Sequence, residues 1–175
     1  MSETRKAHTP EPWLRGPVQG IEPWLQPVAH ALLQAREEVT RAVSGLDREA
    51  LLARPGGAAS LAFHLRHIPG SVDRLMTYAS GASLDEAQKA ALAAEKGDAA
   101  DDPEALVEAF ERAISAALER LGRFPAASLL EPRAVGRAGL PSTVLGLLFH
   151  AAEHAQRHTG QVIVTAKLVR GGVRS

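Results

Sequence analysis

Cysteine is missing from all 175 residues. That absence excludes disulfides, a catalytic thiolate and sulfur ligands, so any metal would be held by nitrogen and oxygen. An excess of positive charge is missing too. The 20 Lys and Arg residues are matched by 20 Asp and Glu, which argues against nucleic acid as a partner, because phosphate recognition depends on clustered cations. No stretch approaches the roughly 18 apolar residues that a membrane span requires, and the charged residues 1–8 have no apolar run behind them. The reading is a cytoplasmic chain without a membrane partner. What is present is the ordinary composition of a folded domain, 45% hydrophobic and 23% charged, at a length that suits one core. Acids concentrate over residues 85–119 and arginines follow after Leu121, an imbalance read as solvated surface.

Proline and glycine punctuate the chain. Residues 1–22 hold Pro10, Pro12, Gly16, Pro17 and Gly20 and read as an arm, ahead of a single domain over residues 23–175. Glu-Pro-Trp-Leu occurs twice, at 11–14 and 22–25, which is too little for a repeat architecture; the two tryptophans are expected to pin the arm to the domain. Over residues 24–46, Val28, Leu32, Ala35, Val39, Ala42, Val43 and Leu46 follow a 3.6-residue stripe and predict a first helix. Residues 51–59 contain Pro55, Gly56 and Gly57 and predict a loop. Ser60 then caps a second helix to residue 80, whose stripe of Leu61, Leu65, Ile68, Val72, Leu75 and Ala79 keeps phase across Pro69, so a kink is expected there and not an end. A capping box over residues 83–86 predicts a short helix to residue 96. Asp102-Pro103-Glu104 opens a third long helix with a stripe from Leu106 to Leu121. Residues 124–140 look irregular, and the last helix spans residues 143–169, closed by Gly171 and Gly172. Four amphipathic helices predict an all-α four-helix bundle. The gap over residues 81–102 predicts a long crossover between the second and third helices.

Two histidines, His154 and His158, sit four residues apart on the last helix. Adjacent turns bring such residues to within roughly 5–6 Å at Cβ, so both rings can reach one ion. Counted at about 100° per residue, they lie roughly 120° and 80° to one side of the buried stripe, while His150 faces outward at roughly 160°. On the second helix His64 and His67 share one flank, at roughly 60° and 120°. Helical phase does not choose between them. His30 lies opposite the first helix's stripe and His8 lies in the arm, so both are expected in solvent. Gln161 falls on the His154 side and could orient a ligand or substrate, or serve only as a local hydrogen bond. Glu153 falls on the far face, and Arg133 and Arg137 precede the last helix, where they could meet an anionic substrate.

The segment His154-Ala155-Gln156-Arg157-His158-Thr159-Gly160-Gln161, together with His67 before Ile68, resembles the DinB-like (YfiT-like) family of metal-dependent bacterial enzymes. The resemblance extends to residues 11–14, 60–68 and the Glu153-His154 pair. Pro69-Gly70, directly after His67, departs from the continuous helix expected at that point. The resemblance implies a bundle with a long crossover, a three-histidine centre made of His67, His154 and His158, and in many relatives a homodimer. It implies further that a small molecule is the substrate, with a low-molecular-weight bacterial thiol such as mycothiol or bacillithiol as cosubstrate in some relatives.

A divalent ion, whether Zn, Ni, Fe or Mn, keeps its full charge and an open position on three neutral imidazoles, the pattern of catalytic and not structural sites. Such an ion lowers the pKa of a bound water toward about 7, and can equally hold a thiolate. In a chain without cysteine the thiol must arrive as a cosubstrate. The expectation is a transferase using such a thiol; the alternatives are a metallohydrolase or a non-catalytic, stress-related metal-binding protein.

Overall fold

A computed structural model describes residues 9–97 and 102–172, so His8 lies outside the described residues. Its helices are α1 (Gln26–Val43), α2 (Arg48–Leu52), α3 (Leu61–Ala79), α4 (Glu86–Ala94), α5 (Pro103–Leu121) and α6 (Val144–Arg170). The long ones, α1, α3, α5 and α6, form the bundle. Side-chain bonds give their directions. Arg36 reaches Ser115 and Thr40 reaches Glu111, so α1 and α5 are antiparallel. Gln156 reaches the Ala31 carbonyl and Arg170 that of Ala42, so α1 and α6 are parallel. His64 meets His158 and His67 meets His154, so α3 and α6 are antiparallel. It follows that α3 and α5 are parallel neighbours, with Arg120 near the end of one bonded to Asp73 and Thr77 in the second half of the other. Parallel neighbours cannot be joined by a tight turn, which is the physical reason for the crossover that carries α4.

Local chemistry sets the helix ends. Ser60, Asp102 and Thr143 each accept a hydrogen bond from the backbone N–H three residues on, replacing a partner that the first turn lacks. The apolar phases converge on one core in which Leu32, Leu61, Leu65, Ile68, Phe110, Ile114, Leu121 and Leu148 are fully enclosed. The second helix does not end at Pro69, because the buried face Leu65, Ile68, Val72 and Met76 continues past it. At α4 the capping box is Asp85 with Gln88, two residues later than expected from Ser83. The later frame also lets the Gln88 amide reach Asp73 at 2.5 Å and Thr77 at 2.8 Å on α3. None of the residues of α4 is buried.

Four expectations are corrected. The loop expected over residues 51–59 begins inside α2, which Asp47 caps and which buries Ala50 and Leu51. The irregular stretch holds a hairpin of β1 (Pro132–Val135) and β2 (Leu140–Thr143), paired from Pro132 opposite Thr143 to Val135 opposite Leu140. Its turn needs the left-handed backbone of Gly136 and Gly139, at φ 67 and 60. The tryptophans do not pin the arm: Trp13 is 58% and Trp24 74% exposed. Each Pro-Trp-Leu word forms a single 3-10 turn that hides a flanking residue instead, Pro12 in one and Leu25 in the other. The arm is held by Arg15 paired with Glu37, and by Gln26, which bonds the backbone of Val18 and Ile21. His30 is not in open solvent either; Nε2 lies 3.0 Å from the Gly16 carbonyl oxygen, tying arm to helix. Among the described residues no helix is long and apolar enough to cross a membrane.

Candidate metal centre

Antiparallel packing of α3 against α6 sets two histidines of one helix opposite two of the other. His67, His154 and His158 each offer one ring nitrogen, and these nitrogens all lie within 4.8 Å of one another. Nε2 of His67 is 2.9 Å from Nε2 of His154. Ring centroids of His158 stand 4.5 Å from those of both His67 and His154. The ambiguity that phase left between His64 and His67 is resolved by depth. His67 is half-buried and faces the pair on α6, whereas His64 is 2% exposed and sets Nδ1 3.1 Å from Nδ1 of His158. Phe63 stacks on His67 with centroids 4.9 Å apart and planes 13° from parallel.

Burial lowers the pKa of His64, His154 and His158. Desolvation, then the neighbouring His158 and His67, push His64 down to about 4. The same causes in the same order push His154 down to about 4. His158 is lowered as well, by desolvation first and His67 second, with Gln161 accepting a hydrogen bond and pulling the other way. An imidazole binds metal in its neutral form, so a set of basic nitrogens that resist protonation is a set prepared for a cation.

One contributor is invisible to spacing. Glu95, at the end of α4, is 5% exposed. Its Oε2 accepts a hydrogen bond from Nδ1 of His67 at 2.7 Å, and its Oε1 takes Arg74 at 2.5 Å. Glu95 stands in an acid-rich stretch of the sequence, and nothing local separates it from its solvated neighbours. The departure at Pro69-Gly70 offers the one sequence signal. A Cβ on Gly70 would lie 2.7 Å from Oε1 of Glu95 and 3.0 Å from a terminal nitrogen of Arg74, so glycine leaves the room that this ion pair occupies.

The other candidates fall outside the cluster. His150 is exposed and pairs with Glu153 at 3.2 Å, and Glu153 also holds Arg157. Arg133 is spent on the Ala79 carbonyl and on Glu131, tying the hairpin to α3. Arg137 is exposed at the hairpin turn. Gln161 is exposed and reaches the His158 ring one turn back.

The residues fit a divalent ion on two grounds. All three donors are nitrogen, the hardness that zinc, nickel and iron share. Two nitrogens bound at about 2.0–2.1 Å to one ion stand roughly 3 Å apart, close to the 2.9 Å between His67 and His154.

A comparison with curated proteins gives no match. The model of the DinB superfamily matches residues 31–162. That span takes in most of α1, all of α3 and α5, and the part of α6 that carries His154 and His158; the chain therefore belongs to the DinB superfamily.

Proposed function

We propose that this protein is a metal-dependent enzyme in which His67, His154 and His158 hold one divalent ion, and that it transfers a group to or from a low-molecular-weight thiol. The observation that carries the reading is the convergence of three imidazole nitrogens within 4.8 Å, all on half-buried side chains that a small molecule can approach. When bound, such an ion supplies Lewis acidity at an open coordination position. The chain holds no cysteine, so the sulfur nucleophile comes with the cosubstrate. Its sulfur bonds an electrophilic carbon of the second substrate as that carbon's bond to its leaving group breaks; the leaving group departs with the bonding electron pair, and the thiol's proton passes to solvent. Gln161, beside His158, is placed by this reading to hydrogen-bond the incoming molecule. A cytoplasmic location and pairing of two copies belong to the same reading. The exposed Phe149, Val164 and Leu168 on α6 support the pairing.

Metal analysis of untagged protein tests the first half of the proposal. The second half is tested by replacing the ion with Co²⁺ and titrating bacterial thiols, with a sulfur-to-metal charge-transfer band expected that is absent in His154→Ala. Hydrolysis of small esters or amides without any response to thiols would replace the transferase with a metallohydrolase. Metal uptake with neither activity would leave a binding protein.

A further inference from the structure

We propose that Glu95 is the positioning carboxylate of the histidine cluster, holding His67 in the tautomer that turns an unprotonated Nε2 toward His154 and the bound ion. The ion in this statement rests on the proposed function; the tautomer does not, because it exists in the metal-free protein.

The starting point is a contrast of burial. The nine residues of α4 hide none of their number, yet the residue that follows them is 5% exposed. Taking a carboxylate out of water is unfavourable unless both of its oxygens find strong partners. Glu95 finds two, and they differ in kind. Arg74 takes Oε1 at 2.5 Å and balances the charge, while Oε2 is turned to the ring of His67 at 2.7 Å. A carboxylate only accepts, so the ring proton sits on Nδ1 and Nε2 carries the lone pair. That is the atom 2.9 Å from Nε2 of His154. Rotating the ring by half a turn would set a carbon against the carboxylate, and Phe63, stacked at 4.9 Å, lies against the ring's face. Gly70 contributes by what it lacks, since any Cβ there would enter the space of Glu95 and Arg74. An ion pair serving only to dock the crossover would be complete with Arg74. The second oxygen, aimed at a residue of the ligand set, is what points to positioning. Carboxylates bonded to the far nitrogen of a ligand histidine fix its tautomer and raise its basicity, and their removal typically weakens metal binding about 10–100-fold.

The experiment uses the untagged full chain and two readouts. Zn²⁺ affinity is measured by competition with a chromophoric chelator, and the His67 tautomer is read in EDTA from long-range ¹⁵N–¹H spectra. The wild-type protein is expected to show the Nδ1–H form. Glu95→Ala is expected to bind Zn²⁺ about 10–100-fold more weakly and to move His67 toward the Nε2–H form. Glu95→Gln, which must set an NH₂ group against Arg74 or His67, should fall between the two. An Nε2–H tautomer in the wild type overturns the proposal on its own, with no variant needed, so it stays testable if Glu95→Ala fails to fold. Unchanged Zn²⁺ affinity in a folded Glu95→Ala variant overturns it as well. If the wild type takes up no Zn²⁺ while His67 loses its Nδ1–H form in Glu95→Ala, the metal reading falls and control of the ring by Glu95 stands.

Discussion

Nδ1 of His158 lies 3.1 Å from Nδ1 of His64, a ring that is 2% exposed. One nitrogen donates and the other accepts, so His64 stands behind His158 and steadies it. His64→Ala is therefore expected to weaken metal binding by about tenfold without abolishing it, and to cost about 1–3 kcal/mol of stability by stranding the His158 nitrogen. Chelator competition and urea titration read the two effects. Complete loss of metal, equal to that in His158→Ala, would instead make His64 a ligand.

Alanine at His67, His154 or His158 is expected to remove most of the bound metal. His150→Ala should retain it, since His150 is exposed and its Nδ1 pairs with Glu153 at 3.2 Å. Elemental analysis of the four purified variants decides the matter; equal retention in His67→Ala and His150→Ala would dissolve the assignment.

Chelation should leave the fold in place. The core joins residues from all four long helices, unlike that of a zinc finger, whose folding free energy is metal-binding free energy. Treatment with EDTA should lower the melting temperature modestly and preserve the helical circular dichroism spectrum. Circular dichroism is the better probe, because Trp13 and Trp24 are already exposed in the folded state and their fluorescence will change little. Collapse of the helical signal on chelation would move the ion to a structural role.

The metal-free protein is expected to lose stability as acid is added, in a window set by its histidines. His64 and His154 are each lowered to about 4 in the folded state, against about 6.5 in an unfolded chain. Below about 6.5 the unfolded chain takes up protons that the folded rings refuse. Stability is therefore full above that value, and the loss deepens until the folded rings titrate near 4. Melting temperatures of EDTA-treated protein between pH 7.5 and 5, a range above most carboxylate titration, should fall steadily as about 6.5 is passed. A flat profile there would show that the rings are protonated in the fold.

Legibility in the sequence followed the range of each interaction. Helix phase exposed the bundle, because a buried face repeats every 3.6 residues, and Leu61, Leu65, Ile68 and Val72 kept that period through Pro69. His154 and His158 were visible because their contact is local to one helix. His64 and His67 were not separable, since both lie on one flank of α3, and what distinguishes them is depth against α6. Glu95 was hidden because its partner is 28 residues away, across a crossover whose path no periodicity encodes. The hairpin escaped for a related reason: its strands are four residues each with none of them buried, and Pro132 and Pro141 speak against a strand.

A helix with no buried residue has little to lose by leaving. For α4, the bonds that fasten it to α3 through Gln88 and Glu95 are ones that water can replace, so its opening need not share the free energy of global unfolding. Backbone amides of residues 86–94 should exchange with deuterium well ahead of those in α3 and α6, and a protease should find this connection first while the four long helices remain associated. Traffic to and from the His67 side of the cluster would then proceed by brief excursions of one weakly held segment, at rates set by the breaking of a few hydrogen bonds and with the core undisturbed.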